Sequence, residues 1–167
     1  MYNELTKNDI KKMEAEIEHR KVVIRKELLE SVKEARSHGD LSENFEYHAA
    51  KKEKNRNESR IRYLERMIRT AKIVSDDSKA DEVGLNNMVD VYFEEEDTTE
   101  RFKLVTTIRG NSLEGKISTE SPIGKAIFKH KVGDRVHVKV NENYGYYVVI
   151  KSIEKTVDDS TDQIQGY

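Results

Sequence analysis

Apolar positions in the first 74 residues recur at helical spacing and are interrupted once. Ile10, Met13, Ile17, Ile24, Leu28 and Ala35, with Val32 beside them, precede Gly39; Phe45, Ala50, Ile61, Leu64, Ile68 and Ala71 follow it. Ile10, Ile17 and Ile24 are seven apart, as are Ile61 with Ile68 and Leu64 with Ala71. That is the a/d spacing of a coiled-coil seam. Residues 6–74 hold no proline and only this one glycine, so the pattern predicts two helices broken at Gly39, where a left-handed residue would end the first. Thr6 or Asn8 could cap the first helix, and the second would begin within 40–44. A connection this short forces the helices to lie antiparallel. The prediction is a hairpin of two arms of roughly 30 residues, each about 45 Å long, with its tip at 37–44. Asn57 and Lys54 fall on seam positions and leave the middle of the pairing weakly apolar.

Beyond the polar stretch 75–81 the period changes. Val89, Val91 and Phe93 alternate with Asp90, Tyr92 and Glu94; 101–108 and 135–140 alternate similarly, and 146–153 is a β-rich run, all strand signals. Residues 141–145 read as a hairpin turn. Ser121 followed by Pro122 has the N-cap and N1 chemistry of a short helix over 122–128, and 131–134 turns back into a strand. The predicted class is α+β: an antiparallel helical hairpin over 1–75, a linker at 76–81, a small, mainly antiparallel β domain with one short helix over 82–156, and a polar, frayed tail over 157–167.

Composition sharpens this picture. Apolar residues make up 35% and charged residues 37% of the chain, against about 45–50% and 25% in an ordinary globular domain. So little apolar material cannot fill one compact globule, but it suits a charged rod beside a small core. No apolar run approaches the ~18 residues of a membrane span, and the N-terminus lacks a signal-peptide core; a cytoplasmic protein without membrane attachment is expected. The absence of cysteine excludes disulfides, thiolate zinc sites and cysteine nucleophiles. The net charge of −2 hides a segregation. The second helix carries Lys51, Lys52, Lys54, Arg56, Arg60, Arg62, Arg66, Arg69 and Lys72, whereas Asp76, Asp77, Asp81, Glu82, Asp90, Glu94, Glu95, Glu96, Asp97 and Glu100 follow it with Lys79 alone between them. The basic helix can attract nucleic-acid phosphate; the same residues also read as a solvated face with i,i+4 ion pairs.

The chemistry-bearing candidates gather at the tip. Asp40 and Glu43 lie three apart, a spacing that places both on one side of a helical first turn. Hard cations such as Mg²⁺ take one or two carboxylates together with waters and substrate phosphates, so the pair could supply part of a metal site, with the remaining ligands brought by something else. Asp40-x-x-Glu43 also resembles a capping box, and acids near a helix N-terminus complement its dipole. His38 and His48 flank the turn but read as polar tip residues rather than zinc ligands, and Phe45 and Tyr47 as packing residues at the hairpin end.

The stretch His-Gly-Asp-Leu-Ser-Glu-Asn-Phe-Glu-Tyr-His-Ala-Ala-Lys at 38–51 resembles the signature of the bacterial Gre transcript cleavage factors, the GreA type in particular. Ile-Ser-Thr-Glu-Ser-Pro-Ile-Gly-Lys-Ala-Ile at 117–127, followed by Lys-Val-Gly-Asp-Arg-Val at 131–136, resembles the C-terminal motif of that family. The matches are in the family's order and the resemblance spans nearly the whole chain. It implies an FKBP-like β domain that docks at the mouth of the secondary channel of RNA polymerase, with the coiled coil reaching down that channel. It further implies that Asp40 and Glu43 help to hold a second Mg²⁺ of the polymerase active centre and orient the attacking water, so that the polymerase cleaves backtracked RNA. The factor is then no enzyme by itself, binds no cofactor alone and acts as a monomer. By motif position Arg36, Lys51, Lys52 and Arg56 fall where the family carries its RNA-facing basic patch, and the docking surface would include Ser121, Pro122, Ile123 and Gly124. One departure stands out: Phe45 replaces a residue that is commonly small.

Three other readings stay open on the sequence. A channel binder that does not cleave is the first, kept by Phe45 and opposed by the intact acid pair. A peptidyl-prolyl isomerase would follow from fold alone, a weak ground for function. A coiled-coil scaffold would explain the rod but not its acidic tip.

Overall fold

The computed structural model describes residues 3–39, 44–157 and 162–166. Its elements run β1 (Asn3–Leu5), α1 (Lys7–His19), a π-helical turn (Arg20–Ile24), α2 (Arg25–Arg36), α3 (Phe45–Arg69), β2 (Ala71–Ile73), β3 (Met88–Phe93), β4 (Thr98–Val105), β5 (Lys116–Ser118), α4 (Pro122–Ile127), β6 (Arg135–Lys139) and β7 (Gly145–Glu154). The class is α+β, as the change of period predicts. The chain divides into two compact units, one built on 10–72 and the other on 4–9 with 73–166.

The first unit is the helical hairpin. Its arms pair antiparallel, because partners rise on one arm as they fall on the other: Glu16 bonds Arg60, Arg20 bonds Asn57, and Asn44 bonds Ala35. Met13, Ala35, Ile61 and Leu64 are buried, but the middle of the seam is polar. Asn57 and Arg60 are each only 3% exposed. Arg60 donates to both oxygens of Glu16 at 2.7 and 3.3 Å, Arg20 donates to Glu16 at 3.0 Å and to Asn57 at 2.9 Å, and Asn57 donates to the Arg20 carbonyl at 3.3 Å. A buried polar layer of this kind fixes register, since any slip leaves charges without partners. The π-helical turn begins within this layer, at Arg20, and such one-turn bulges absorb an extra residue without ending the helix.

The second unit is a five-stranded sheet of order β5-β4-β3-β7-β6. All its pairs are antiparallel except β4 with β5, which run parallel from Lys103↔Lys116 to Val105↔Ser118. Inward residues alternate along the strands, so Val89, Val91, Leu104, Val136, Val138, Val148 and Ile150 form one core with Val83 and Ile127 of α4. The turn at 131–134 closes as expected, with the Asp134 carboxylate accepting from the Lys131 N–H at 2.9 Å.

Four sequence-based expectations need correction. The second helix ends at Arg69, and Ala71–Ile73 is instead a strand paired with β1; a three-residue strand is too short to break a helical period visibly. The 101–108 strand is displaced to Thr98–Val105, and 107–109 forms a 3-10 turn. The boundary at 75 is also too simple, because residues 4–9 belong with the β domain. Thr6 and Asp9 form a reciprocal capping box at the start of α1, at 3.0 and 2.8 Å, and the wholly buried Asp9 also accepts from Thr106 at 2.8 Å and from Arg109. Finally, the tail beyond 157 is not wholly frayed. Asp162 is buried, paired with Lys103 and at 3.1 Å with Lys116, and the Gln165 N–H donates to Ile108 at 2.6 Å. Two lysines on β4 and β5 give that polar tail an electrostatic anchor that hydropathy does not register.

Candidate functional site

The site is built where α2 stops and α3 starts. Helix α2 closes on Ser37, whose N–H donates to the carbonyls of Glu34 and Lys33. Gly39 follows with φ +124°, a conformation that side-chain-bearing residues rarely adopt, so this glycine lets the chain leave the helix. The cap of α3 is Asn44. Its side-chain oxygen accepts from the Tyr47 N–H at 3.0 Å, and its side-chain amide donates to the Ala35 carbonyl at 2.6 Å. One residue therefore satisfies a free helix donor and ties the two arms together.

Asp40 and Glu43 lie outside the described residues. The cap itself bears on the alternative role proposed for them. With Asn44 at the N-cap, the third helical position is Tyr47, so α3 does not start on an Asp40-x-x-Glu43 box. Among the described residues no group of three or more His, Asp or Glu could hold a metal ion. His38 instead pairs with Glu46 at 3.0 Å, and His48 stacks edge-on against Tyr47 at 5.5 Å.

Around Tyr47 the charge is positive. The Arg36 guanidinium lies 5.7 Å from the centre of its ring. A hydrogen bond from Arg36, with the charges of Lys51 and Lys54, holds the Tyr47 phenol below its usual range despite some burial. Of the four basic residues placed by motif position, Arg36 and Lys51 thus meet at Tyr47, while Lys52 and Arg56 are exposed further along α3. Lys54 belongs to the group too, although its seam position suggests core; the Tyr47, Lys51, Lys54 spacing of four and three is the signal that identifies it. Arg60 stands apart, because its charge is consumed by Glu16 in the seam.

Phe45 corrects a second expectation. As the first residue of α3 it is 87% exposed and so does not serve as a packing residue of the hairpin end. The suggested docking residues have structural duties. Ser121 caps α4 by accepting from the Gly124 N–H at 3.1 Å, Pro122 fills the first helical position, and Ile123 packs on the core. Gly124 is buried, and a Cβ there would fall 2.0 Å from the Ser118 carbonyl. Pro122 is the exposed member of the set.

Residues 3–73 match the family model described as the N-terminal domain of transcription elongation factors, and 77–155 match the C-terminal GreA/GreB model. The chain is 44% identical over 137 residues to the transcription elongation factor GreA of Thermoanaerobacter pseudethanolicus, covering 81% of this chain and 87% of that one. It is 42% identical over 135 residues to GreA of Bacillus subtilis, covering 81% and 86%. The solved GreA factor homolog 1 of Thermus thermophilus aligns with 92% of this chain and 99% of its own at 26% identity, with a TM-score of 0.42. No helix among the described residues is long and apolar enough to cross a membrane. With both halves matched in order, the chain belongs to the GreA/GreB family of transcription elongation factors.

Proposed function

We propose that this chain binds bacterial RNA polymerase, enters its secondary channel tip first and stimulates Mg²⁺-dependent cleavage of backtracked RNA. The observation that carries the reading is the cap: Asn44 caps α3, so the acids of the signature are not needed to start the helix. α3 has 25 residues and spans about 37 Å, a reach suited to a channel. Asp40 and Glu43 would offer carboxylate oxygens to a Mg²⁺ of the polymerase active centre, which would activate water and offset charge on the reacting phosphate. The two acids would also accept hydrogen bonds from that water and hold it in line. Arg36, Lys51, Lys52 and Arg56 would hold the extruded RNA by its phosphates, without reading sequence. The factor is then not an enzyme by itself.

The test uses backtracked elongation complexes with 5′-labelled RNA and Mg²⁺. The wild type should yield shortened RNA that can be extended again, and Asp40→Asn or Glu43→Gln should each slow cleavage by about ten- to a hundredfold. Equal cleavage by all three proteins would overturn the assignment of the acids. The exposure of Phe45 favours one competing reading, a channel binder that slows elongation without cleavage; intact RNA with slowed elongation in the same assay would establish it.

A further inference from the structure

One end of the sheet carries aromatic rings supplied with carboxylates instead of cations. β3 and β7 are antiparallel neighbours with Phe93 opposite Val148, so the β3–β4 turn meets the start of β7. Phe93 and Tyr146 lie 5.9 Å apart and Tyr146 and Tyr144 6.0 Å apart between ring centres. With Glu95 and Glu96 they line a cavity of about 150 Å³, well below the roughly 300–1,000 Å³ of a small-molecule cleft. Tyr144 donates to Glu95 at 3.2 Å, which orients ring and carboxylate together.

The other tyrosines show what is missing. Among the described residues, Tyr47 has Arg36 against its ring, Tyr63 has Arg60 and Arg66, Tyr92 has Lys151 at 5.2 Å and Tyr147 has Arg135 at 3.8 Å. Tyr144 and Tyr146 have no such cation among the described residues, although the acidic turn is beside them. Nearby carboxylates are partly engaged: Glu94 pairs with Arg135 and Asp97 accepts from Tyr92. Among the described residues, Glu96 makes no ion pair and Glu95 bonds only the Tyr144 hydroxyl. The hydrogen bond to Glu95 pushes the Tyr144 phenol up; burial, with Tyr144 and the charges of Glu96, Glu100 and Glu95, does the same to Tyr146.

We infer that this pocket is the seat of an arginine side chain from a protein partner. A guanidinium can stack on Tyr144 or Tyr146 while its N–H fork meets Glu95 and Glu96, and 150 Å³ holds the group with the end of its stem. That the partner is RNA polymerase rests on the function proposed above; the chemistry of the pocket does not.

The test is a titration of the full chain with the peptides acetyl-Ala-Arg-Ala-amide and acetyl-Ala-Gln-Ala-amide, followed by NMR of the Phe93, Tyr144 and Tyr146 ring signals. The arginine peptide should give saturable shifts at these rings, weakened about tenfold in the double variant Glu95→Gln, Glu96→Gln, whose remaining spectrum reports an intact fold. Shifts shared equally by the glutamine peptide, or unchanged in the double variant, overturn the inference. In parallel, the double variant should bind core polymerase about tenfold more weakly than wild type, and equal binding overturns the assignment of the partner. A wild type that does not bind polymerase at all overturns the functional proposal, and the peptide titration then decides the pocket by itself.

Discussion

The two units solve the same problem with opposite materials. The sheet buries Val83, Val89, Val91, Leu104, Ile127, Val138, Val148 and Ile150 so completely that none is measurably exposed. The hairpin buries few side chains, and two of them, Asn57 and Arg60, are polar. A dry core is held by burial of apolar surface, roughly 25 cal/mol per Å², which is insensitive to pH. A polar seam adds little net stability over apolar residues of the same shape, but it accepts only one alignment. For a rod that works through its tip, as proposed above, alignment matters more than strength. Apolar residues are about equally frequent in the two halves, 27 of the first 74 positions and 32 of the remaining 93, so the difference lies in how many of them each unit buries and not in how many it has.

The largest effect should come from the sheet. Leu104 is fully buried on β4, and Leu104→Ala should destabilise the β domain by about 2–5 kcal/mol, seen as a fall in the unfolding midpoint. Next is the seam. Arg60→Ala removes the main partner of Glu16, a carboxylate left a quarter exposed, so water compensates in part and a loss of about 2–3 kcal/mol is expected. Replacing the layer as a whole, Glu16→Leu and Arg20→Leu with Asn57→Leu and Arg60→Met, should instead leave hairpin stability unchanged or raise it, while loosening the register. Cross-linking rates between paired cysteines introduced at two alternative alignments would reveal this, and a single surviving alignment would show that the apolar positions suffice to set it.

How much of this was legible in the sequence follows the same division. The hairpin and four of the sheet strands are written in the two periodicities, because helices and strands space their buried faces at 3.6 and 2 residues. β1, β2 and β5 have three residues each, too few to carry a period. The polar seam left a trace, in the seam positions of Asn57 and Lys54, but not its partners: Arg20 and Glu16 are ordinary surface residues by spacing, and only pairing across 37 or 44 residues buries their charges. At the tip, the signature located the acids, but Asn44 as the cap and the exposure of Phe45 depend on where α3 begins, and element boundaries are what pattern fixes least. Asp162 was invisible because its anchor, Lys103 with Lys116, comes together only through the parallel β4–β5 pair.

Acid should weaken the polar seam without any mutation. Burial raises the Glu16 carboxyl, but the hydrogen bonds and charges of Arg60 and Arg20 outweigh it, so the group titrates below its usual 4.5. A lowered folded-state value means that the stabilisation is complete above the ordinary carboxylate range and fades as pH falls through the folded value. Helical unfolding of wild type, followed at 222 nm, should therefore become easier as pH falls below the ordinary carboxylate range, whereas Glu16→Gln should start lower at pH 7 and change less. Parallel pH profiles for the two proteins would assign the acid sensitivity elsewhere.

The smallest expected change in stability is at the tip, and it isolates use from fold. Phe45 is 87% exposed and follows the cap without contributing to it, so Phe45→Ala should move the unfolding free energy by no more than about 0.5 kcal/mol. A phenyl ring that is bare in the free protein has its whole burial energy still to gain, about 1.5–3 kcal/mol for a large apolar side chain. If the tip enters a channel that covers this ring, Phe45→Ala should raise the concentration needed for half-maximal RNA cleavage by about tenfold or more, while Phe45→Leu should recover much of the loss. The same shift in stability with no change in the cleavage curve would mean that the ring stays in water in the working complex, and the tip would then act through its acids and its basic residues alone.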